Sequence, residues 1–248
     1  MRRLDWLVAV AILLLAGCAT AEAAGKGKAL SATGRTNLVL AQSYLERNQP
    51  DKAAEWAALA LKSDAGAAEV HVVLALIQAS SGNHKKAERE FNRALRIAPD
   101  DGAVLNAHAS WLCDRGQMAE ADEAFSRALL DGNYRSPIQA LANAGMCARK
   151  AGQWSKAEAY LRRALTIAPQ NGPLLLLLAD TELRLGKILE AQAFVQRRDS
   201  LGSDAATLEL AARIEDAAKN RHAAARYRQR LRDEFPDHVP TGEGARTP

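Results

Sequence analysis

Cysteine, proline, glycine and aromatic residues are all scarce in this sequence. Its 248 residues include only 3 cysteines, 8 prolines and 16 glycines, and 5% are aromatic, whereas 48% are hydrophobic. So few helix-breaking residues exclude a loop-rich chain and favour a strongly helical one. The formal net charge is only +4, and basic residues alternate with acidic ones along most of the chain. Nothing in the charge pattern therefore indicates nucleic acid as a partner.

Signatures of catalysis and of metal binding are also missing. No two of the 5 histidines are three or four residues apart, the spacing that places two ligands on one face of a helix. No glycine-rich phosphate loop or nucleophile elbow occurs. His108 lies five residues before Cys113, which turns the two side chains about 140° apart on a helix. We therefore expect no enzymatic activity, no metal and no cofactor.

An apolar run lies near the start of the chain, at residues 7–16. It follows two arginines and is too short to span a bilayer. The run leads into Leu-Ala-Gly-Cys, ending at Cys18, which resembles the bacterial lipobox, in which the cysteine is acylated and becomes the new N-terminus. The alternative is an ordinary secretory signal with an incidental cysteine. We expect residues 1–17 to form a lipoprotein signal peptide and Cys18 to carry lipid.

The residues after the lipobox and at the other end of the chain have little periodicity. Ala19 stands where an Asp would favour the inner membrane, so the lipobox resemblance implies lipid anchoring on the periplasmic face of the outer membrane. Residues 18–33 are rich in Ala, Gly and Lys and predict a flexible tether that begins at the lipidated cysteine. Residues 237–248 combine Pro, Gly and charges and predict a disordered tail.

Between these segments the chain repeats a unit of about 34 residues. The clearest copy, residues 68–101, resembles a tetratricopeptide repeat (TPR), a helix–turn–helix. Ala75, Ala87 and Ala94 are small enough for two helices to approach closely, and Gly82 can adopt the left-handed conformation that ends a helix. Because one such hairpin cannot bury its apolar faces alone, we expect further copies on both sides.

The same frame fits along the rest of the chain and sets the predicted fold. The predicted repeats are residues 34–67, 68–101, 102–135, 138–171, 172–203 and 204–236. The last copy is degenerate, as terminal repeats often are because their outer face meets water. We therefore predict an all-α, monomeric fold without β-sheet: a right-handed superhelix of about six TPR helix–turn–helix repeats over residues 34–236.

Cys113 and Cys147 are the thiols that remain if Cys18 carries the anchor. They fall on the first helices of neighbouring predicted repeats. An even count in an oxidising compartment favours a disulfide. The alternative is two buried free cysteines, which pack well as small apolar groups. The sequence alone leaves both open because it does not give the Cα separation.

The TPR resemblance implies that one face of each first helix lines a partner-binding groove. The residues at these positions that we predict to bind a partner are Arg35, Leu38, Gln42, Leu45, Val72, Leu76 and Asn106. Those of the first two repeats are mainly apolar, as in a site for a peptide or a helix. The alternative is a register error that makes these residues part of the core. The corresponding positions of repeats three to five are more polar: Asn106, Ser110, Asp114, Gln139, Arg149, Lys150, Asp180 and Arg184.

The third and fourth repeats resemble one family more closely. Residues 106–113 (NAHASWLC), 133–137 (NYRSP) and 143–147 (NAGMC) are similar to the type IV pilus biogenesis and stability lipoproteins called PilF or PilW. The similarity extends over about residues 34–200. The chain departs from the family at residues 107–110, where Asn, Tyr, Gly and a large residue are more usual.

The family resemblance implies a non-enzymatic pilotin. Such an outer-membrane lipoprotein helps the secretin of the type IV pilus to assemble, or stabilises pili. It implies the secretin as the protein partner, contact with the membrane through the lipid anchor, and no nucleic acid. A second function that the residues leave open is a general periplasmic TPR adaptor for envelope or peptidoglycan complexes.

Overall fold

The computed structural model describes residues 29–239, and this part of the chain contains 12 α-helices and no strand. The helices are α1 (Ala32–Glu46), α2 (Pro50–Asp64), α3 (Ala68–Ser80), α4 (His84–Ile97), α5 (Gly102–Asp114), α6 (Met118–Ala128), α7 (Pro137–Lys150), α8 (Trp154–Ile167), α9 (Gly172–Arg184), α10 (Ile188–Asp199), α11 (Ala205–Ala217) and α12 (Arg221–Glu234). The prediction of an all-α fold built from helix pairs is confirmed for the described residues.

Several predictions concern residues outside this range. The signal peptide (residues 1–17), Cys18 and most of the tether precede residue 29, and most of the predicted tail follows Val239. Helix α1 begins at Ala32, slightly before the predicted start of the first repeat. None of the helices between residues 29 and 239 has the length and apolar character needed to cross a membrane.

The chain divides into two compact units, Met1–Val104 and Leu105–Pro248. In the N-terminal unit, α1 pairs with α2 and α3 pairs with α4. Ala41, Ala53 and Ala60 are completely buried in its core. Alanines at these positions let the helix backbones approach closely, and the large Phe91 of α4 is also completely buried. Small and large residues therefore alternate in the interior as the repeat frame predicts.

The tight turn inside a helix pair requires a residue in the left-handed region. Gly82, with φ of 72°, supplies it between α3 and α4. The first and last pairs use other residues at this point: Asn48 has φ of 56° and Lys219 has φ of 59°. The degenerate last repeat therefore keeps the turn geometry although it lacks the glycine.

In the C-terminal unit, α7 to α11 contribute buried residues to two clusters of mainly aliphatic side chains. One cluster centres on Leu161, Leu175 and Leu178, and the other on Val195 and Ile214. The structure also joins Cys113 of α5 to Cys147 of α7 in a disulfide with a Cα–Cα distance of 5.8 Å. The bond links the first helices of consecutive repeats on either side of the loop that precedes α7.

Candidate functional site

The first helices of the last three repeats line a groove in the C-terminal unit. The groove lies across α7, α9 and α11, reaches His238 beyond α12, and has a volume of about 330 Å³. Leu176, Leu177 and Leu210 supply its apolar surface. Its charged lining residues are Arg149, Asp180, Arg184, Glu209, Arg213 and His238. We call this feature the C-terminal groove.

Polar caps fix the starts of two of the helices that line the groove. Before α9, Asn171 Oδ1 accepts a hydrogen bond from the backbone N–H of Leu174 at 3.1 Å. Before α11, Asp204 Oδ1 accepts one from the backbone N–H of Thr207 at 2.8 Å. Each cap satisfies an N–H that has no partner within its helix. The caps therefore help to set which side chains α9 and α11 present to the groove.

Arg149 connects α7 to α9 with several hydrogen bonds. Its Nη2 donates to Asp180 Oδ2 at 2.6 Å, and its Nη1 donates to the Leu177 carbonyl at 2.9 Å and to Thr181 Oγ1 at 2.6 Å. The side chains of Arg149 and Asp180 are only 19% and 17% exposed. Shielding from water strengthens such a pair relative to a surface ion pair. This guanidinium therefore holds two repeats together and has few donors left for a ligand.

Asp180 also receives a second, weaker contact from α11. Arg213 Nη2 lies 3.4 Å from Asp180 Oδ1, and the Arg213 side chain is 46% exposed. One carboxylate thus serves two arginines, and the negative charge in this part of the groove is already shared.

Trp154, at the start of α8, contacts Arg149 and also Arg184, the third arginine of the groove. Arg149 and Arg184 each place Cζ 5.7 Å from the centre of the Trp154 ring. Both distances are within the range of cation–π attraction. Arg184 is exposed, and among residues 29–239 it forms no ion pair with a carboxylate. Its guanidinium is therefore restrained by an aromatic ring while its N–H donors remain accessible.

His238 lies at the edge of the C-terminal groove. Its Nε2 is 3.1 Å from Glu209 Oε2 on α11, so the chain passes the groove after α12 ends. His238 lies within the segment for which the sequence predicts a disordered tail, and its side chain has an acidic partner.

Asn106 belongs to a polar network on the first helices of repeats three and four. Asn143 Nδ2 donates to Asn106 Oδ1 at 3.1 Å and to Ser110 Oγ at 3.2 Å. Gln139 Nε2 donates in turn to Asn143 Oδ1 at 2.9 Å. The predicted groove residue Asn106 is half-buried, and its side-chain oxygen already has a partner within the chain. In the structure, the Asn106 side chain therefore connects α5 to α7.

The predicted groove residues of the N-terminal unit have different surroundings. Arg35 and Gln42 are exposed, and Leu45, Val72 and Leu76 are half-buried. Leu45 and Val72 also pack against core clusters.

The prediction for Leu38 is wrong. This side chain is 4% exposed and belongs to the core with Ala41. The two residues are three positions apart, which places them on the same, inward face of α1.

The described residues contain no arrangement that indicates catalysis or a metal. Between residues 29 and 239, no group of three or more His, Cys, Asp or Glu could hold a metal ion. His108 stacks on Trp111 with ring centres 5.8 Å apart. The sulfur of Cys113, five residues after His108, is in the disulfide.

A charged cluster surrounds the buried carboxylate of Glu182 on α9. Glu182 is completely buried and pairs with Arg162, while Lys187 Nζ lies 2.6 Å from Glu158 Oε2. Burial raises the pKa of the Glu182 carboxyl above its ordinary value, although the charge of Arg162 acts in the opposite direction. This cluster links α8 to α9 and lies outside the groove lining.

The repeat frame of the sequence predicts Arg149, Asp180 and Arg184 as groove positions, and the structure places all three in one groove. The same frame does not predict Trp154, Glu209, Arg213 or His238 as part of a site. The sequence carries no signal for Trp154, because its contacts with Arg149 and Arg184 depend on side-chain directions across two repeats. It carries none for His238 either, because that residue lies in a segment without periodicity.

Comparison with known proteins supports the repeat assignment. Models described as tetratricopeptide repeat match residues 38–102, 100–170 and 148–214. The type IV pilus assembly protein PilF of Pseudomonas aeruginosa is 23% identical over 198 residues, which cover 79% of each chain. An uncharacterized protein of Haemophilus influenzae is 28% identical over 138 residues, which cover 56% of this chain and 76% of that protein.

Solved structures give the same relationship. The crystal structure of PilW, a widely conserved type IV pilus biogenesis factor, has a TM-score of 0.74 and 31% identity, and the match covers 85% of this chain and 97% of that chain. The structure of Pseudomonas aeruginosa PilF has a TM-score of 0.70 at 22% identity over 83% of this chain and 93% of that chain, a likeness that shows the fold. The chain therefore belongs to the family of TPR proteins that includes the type IV pilus biogenesis factors PilW and PilF.

Proposed function

We propose that this chain is a non-enzymatic assembly factor of the type IV pilus: an outer-membrane lipoprotein, anchored through Cys18, that helps the pilus secretin to assemble. The observation that supports the proposal most is the relationship to PilW at 31% identity over 97% of that chain. The C-terminal groove adds a surface suited to binding another protein, because stacked repeats commonly use such extended surfaces.

The lipid anchor gives the proposal a physical basis. A chain attached to the membrane that receives the secretin meets its partner at a raised effective concentration without additional contacts. A single acyl chain anchors only weakly, whereas the several chains of a bacterial lipoprotein anchor stably. Replacing Cys18 with Ala should therefore release the protein from the membrane fraction or leave it unprocessed. A Cys18→Ala protein that still fractionates fully with membranes would contradict the anchor.

The N-terminal unit supplies a further proposed contact surface. Arg35 and Gln42 are exposed and Leu45, Val72 and Leu76 are half-buried, whereas Leu38 is not part of this surface. Leu76 is half-buried and lies outside the two core clusters described for this unit, so a Leu76→Glu variant should keep its helicity. It should lose partner binding because an apolar contact is replaced by a charge that must be desolvated.

Deletion of the gene tests the function itself. In the native bacterium we expect deletion to lower both the number of surface pili and the ratio of secretin multimers to monomers, and the wild-type gene to restore both. Pili and multimers at wild-type levels in the deletion strain would contradict the proposal. Normal multimers together with a defect in peptidoglycan enzymes would instead indicate an adaptor for other envelope complexes.

A further inference from the structure

We propose that the C-terminal groove binds an extended protein segment that carries a carboxylate next to aliphatic side chains. This inference rests on the proposed function, because it assigns the chemistry of the partner segment. It is carried by the charges, the apolar surface and the dimensions of the groove.

The charges favour an acidic segment over a basic one. Of the three arginines in the groove, Arg149 uses its donors on Asp180, Thr181 and the Leu177 carbonyl. Arg213 has only the 3.4 Å contact to an Asp180 that Arg149 already engages. Glu209 Oε2, the other acidic group in the lining, lies 3.1 Å from His238 Nε2. The groove thus has more guanidinium donors than carboxylates to accept from them, and a carboxylate of the partner can satisfy the excess.

Arg184 is the residue best prepared to receive that carboxylate. It has no carboxylate partner among residues 29–239, and its Cζ lies 5.7 Å from the centre of the Trp154 ring. An arginine that is already restrained loses less side-chain entropy when it binds. The planar guanidinium also matches a carboxylate with two parallel hydrogen bonds. Trp154 therefore acts as a positioning residue for Arg184.

The apolar surface indicates what accompanies the carboxylate. Leu176 and Leu177 are half-buried, Leu210 is 5% exposed beneath them, and the neighbouring Ala206 is small. This surface fits aliphatic side chains of a partner, which would lose contact with water on binding. A segment of charged residues alone would leave it uncovered.

The dimensions indicate a chain of several residues. The groove crosses α7, α9 and α11, and packed helices lie about 8–10 Å apart, so it extends over roughly 20 Å. An extended chain covers at most about 3.3–3.6 Å per residue. A segment of about six residues therefore spans the groove, and both its acidic and its aliphatic side chains can reach it.

A peptide-binding experiment on the full chain tests the inference. The probe is a position-scanning library of fluorescein-labelled hexapeptides, screened against the purified full chain in detergent. We expect Asp or Glu to be selected at one position and Leu, Ile or Val at neighbouring positions. Substituting Gln for the selected Glu, or Asn for the selected Asp, should weaken binding about tenfold or more, and the affinity should fall as salt is raised. A library with no bound peptides, or without acidic selection, would overturn the proposal.

Paired variants separate the groove from the general charge of the surface. The double variant Arg184→Gln/Arg213→Gln should bind the selected acidic peptide about tenfold more weakly. The double variant Arg163→Gln/Arg221→Gln removes the same charge from exposed positions outside the groove and should bind like the wild type. Trp154→Leu should lower affinity with the acidic peptide but leave affinity for the neutral peptide unchanged. Equal losses in both double variants would overturn the assignment.

Other occupants of the groove give different results. If the groove were filled by residues 240–248 of the same chain, a variant that ends at Val239 would bind the probe at least about tenfold more tightly, and the proposal would be overturned. If a second copy filled it, probe affinity would fall as protein concentration rose, which would also overturn it. If the chain binds no acidic peptide but pilus assembly still depends on the gene, this inference is refuted and the proposed function is not. Pilus assembly that is independent of the gene refutes the proposed function, whatever the peptides show.

Discussion

Arg149 Nη2 of α7 lies 2.6 Å from Asp180 Oδ2 of α9, and both side chains are largely shielded from water. The pair joins the first helices of the fourth and fifth repeats at the edge of the C-terminal groove. One ion pair therefore contributes both to the packing of the repeats and to the charge distribution of the proposed binding surface.

The Arg149–Asp180 pair should contribute measurably to stability. Replacing Asp180 with Asn leaves a largely buried guanidinium without its carboxylate, and we expect the free energy of unfolding to fall by about 1–3 kcal/mol. Asp114→Asn is the matched control, because Asp114 and Lys150 form a longer pair of 3.3 Å that also joins consecutive first helices but is 81% and 50% exposed. That change should cost about 0–1 kcal/mol. Urea unfolding that shows equal decreases in unfolding free energy for Asp180→Asn and Asp114→Asn would contradict this account.

Gly34 should tolerate no side chain. A Cβ atom at this position would overlap Asp64 Oδ2, and Asp64 is 2% exposed. The carboxylate is held by Ser31, whose backbone N–H and Oγ both donate to it at 3.1 and 2.6 Å. Gly34→Ala should therefore destabilise the N-terminal unit by about 1–3 kcal/mol. Gly132→Ala is the control because a Cβ there meets no atom within 4 Å. Identical unfolding curves for the two variants would show that Asp64 can move aside.

The Cys113–Cys147 disulfide should stabilise the C-terminal unit. The cysteines are 34 residues apart in sequence, and closing a loop of this length typically contributes about 2–4 kcal/mol. We expect mass spectrometry of the non-reduced protein to find neither thiol free. A reductant should lower the unfolding free energy of the wild type and have no effect on a Cys113→Ala/Cys147→Ala variant. Two alkylatable thiols at Cys113 and Cys147 in the non-reduced protein would contradict the bond.

Asp199 should make the last repeat sensitive to acid. Burial acts to raise the pKa of Asp199, but hydrogen bonds from Arg230 and Ser203 outweigh it and hold the pKa below its ordinary value. The stability that this carboxylate contributes is therefore present above its unfolded pKa of about 3.9 and is lost as the pH falls through the lower folded pKa.

The Asp199→Asn variant tests this pH dependence. It should be less stable than the wild type at pH 7, and the difference should shrink as the pH falls below about 4. Glu123→Gln, which removes an exposed carboxylate of the same unit, should follow the wild type throughout. If the difference in unfolding free energy between Asp199→Asn and the wild type stayed the same at every pH, the Arg230 contact would have no net effect on the pKa of Asp199.

The sequence predicts the fold well because each repeat carries the same physical requirements. Small residues such as Ala41 and Ala60 recur where helices cross, and these positions are buried in the structure. The predicted repeat frame is less reliable in the first repeat. It places Leu38 in the groove, whereas the side chain fills the core beside Ala41, since both residues project from the same face of α1.

The candidate site is only partly predictable from the sequence. Position within a repeat identifies Arg149 and Arg184 as groove residues, because every first helix presents the same face. It does not reveal that Trp154 restrains both arginines, since that depends on side-chain directions across two repeats. The contact of His238 with Glu209 is equally invisible, because it joins a segment without periodicity to a helix 29 residues earlier.

The most direct test of the proposed function and its site is the ratio of secretin multimers to monomers in a deletion strain that expresses variants of this chain. Arg184→Glu/Arg213→Glu reverses the charge of the C-terminal groove, and Arg163→Glu/Arg221→Glu makes the same change outside it. With all proteins lipidated and present at equal levels, we predict that the groove variant fails to restore multimers and that the control restores them fully. Wild-type multimer levels with the groove variant would contradict the account.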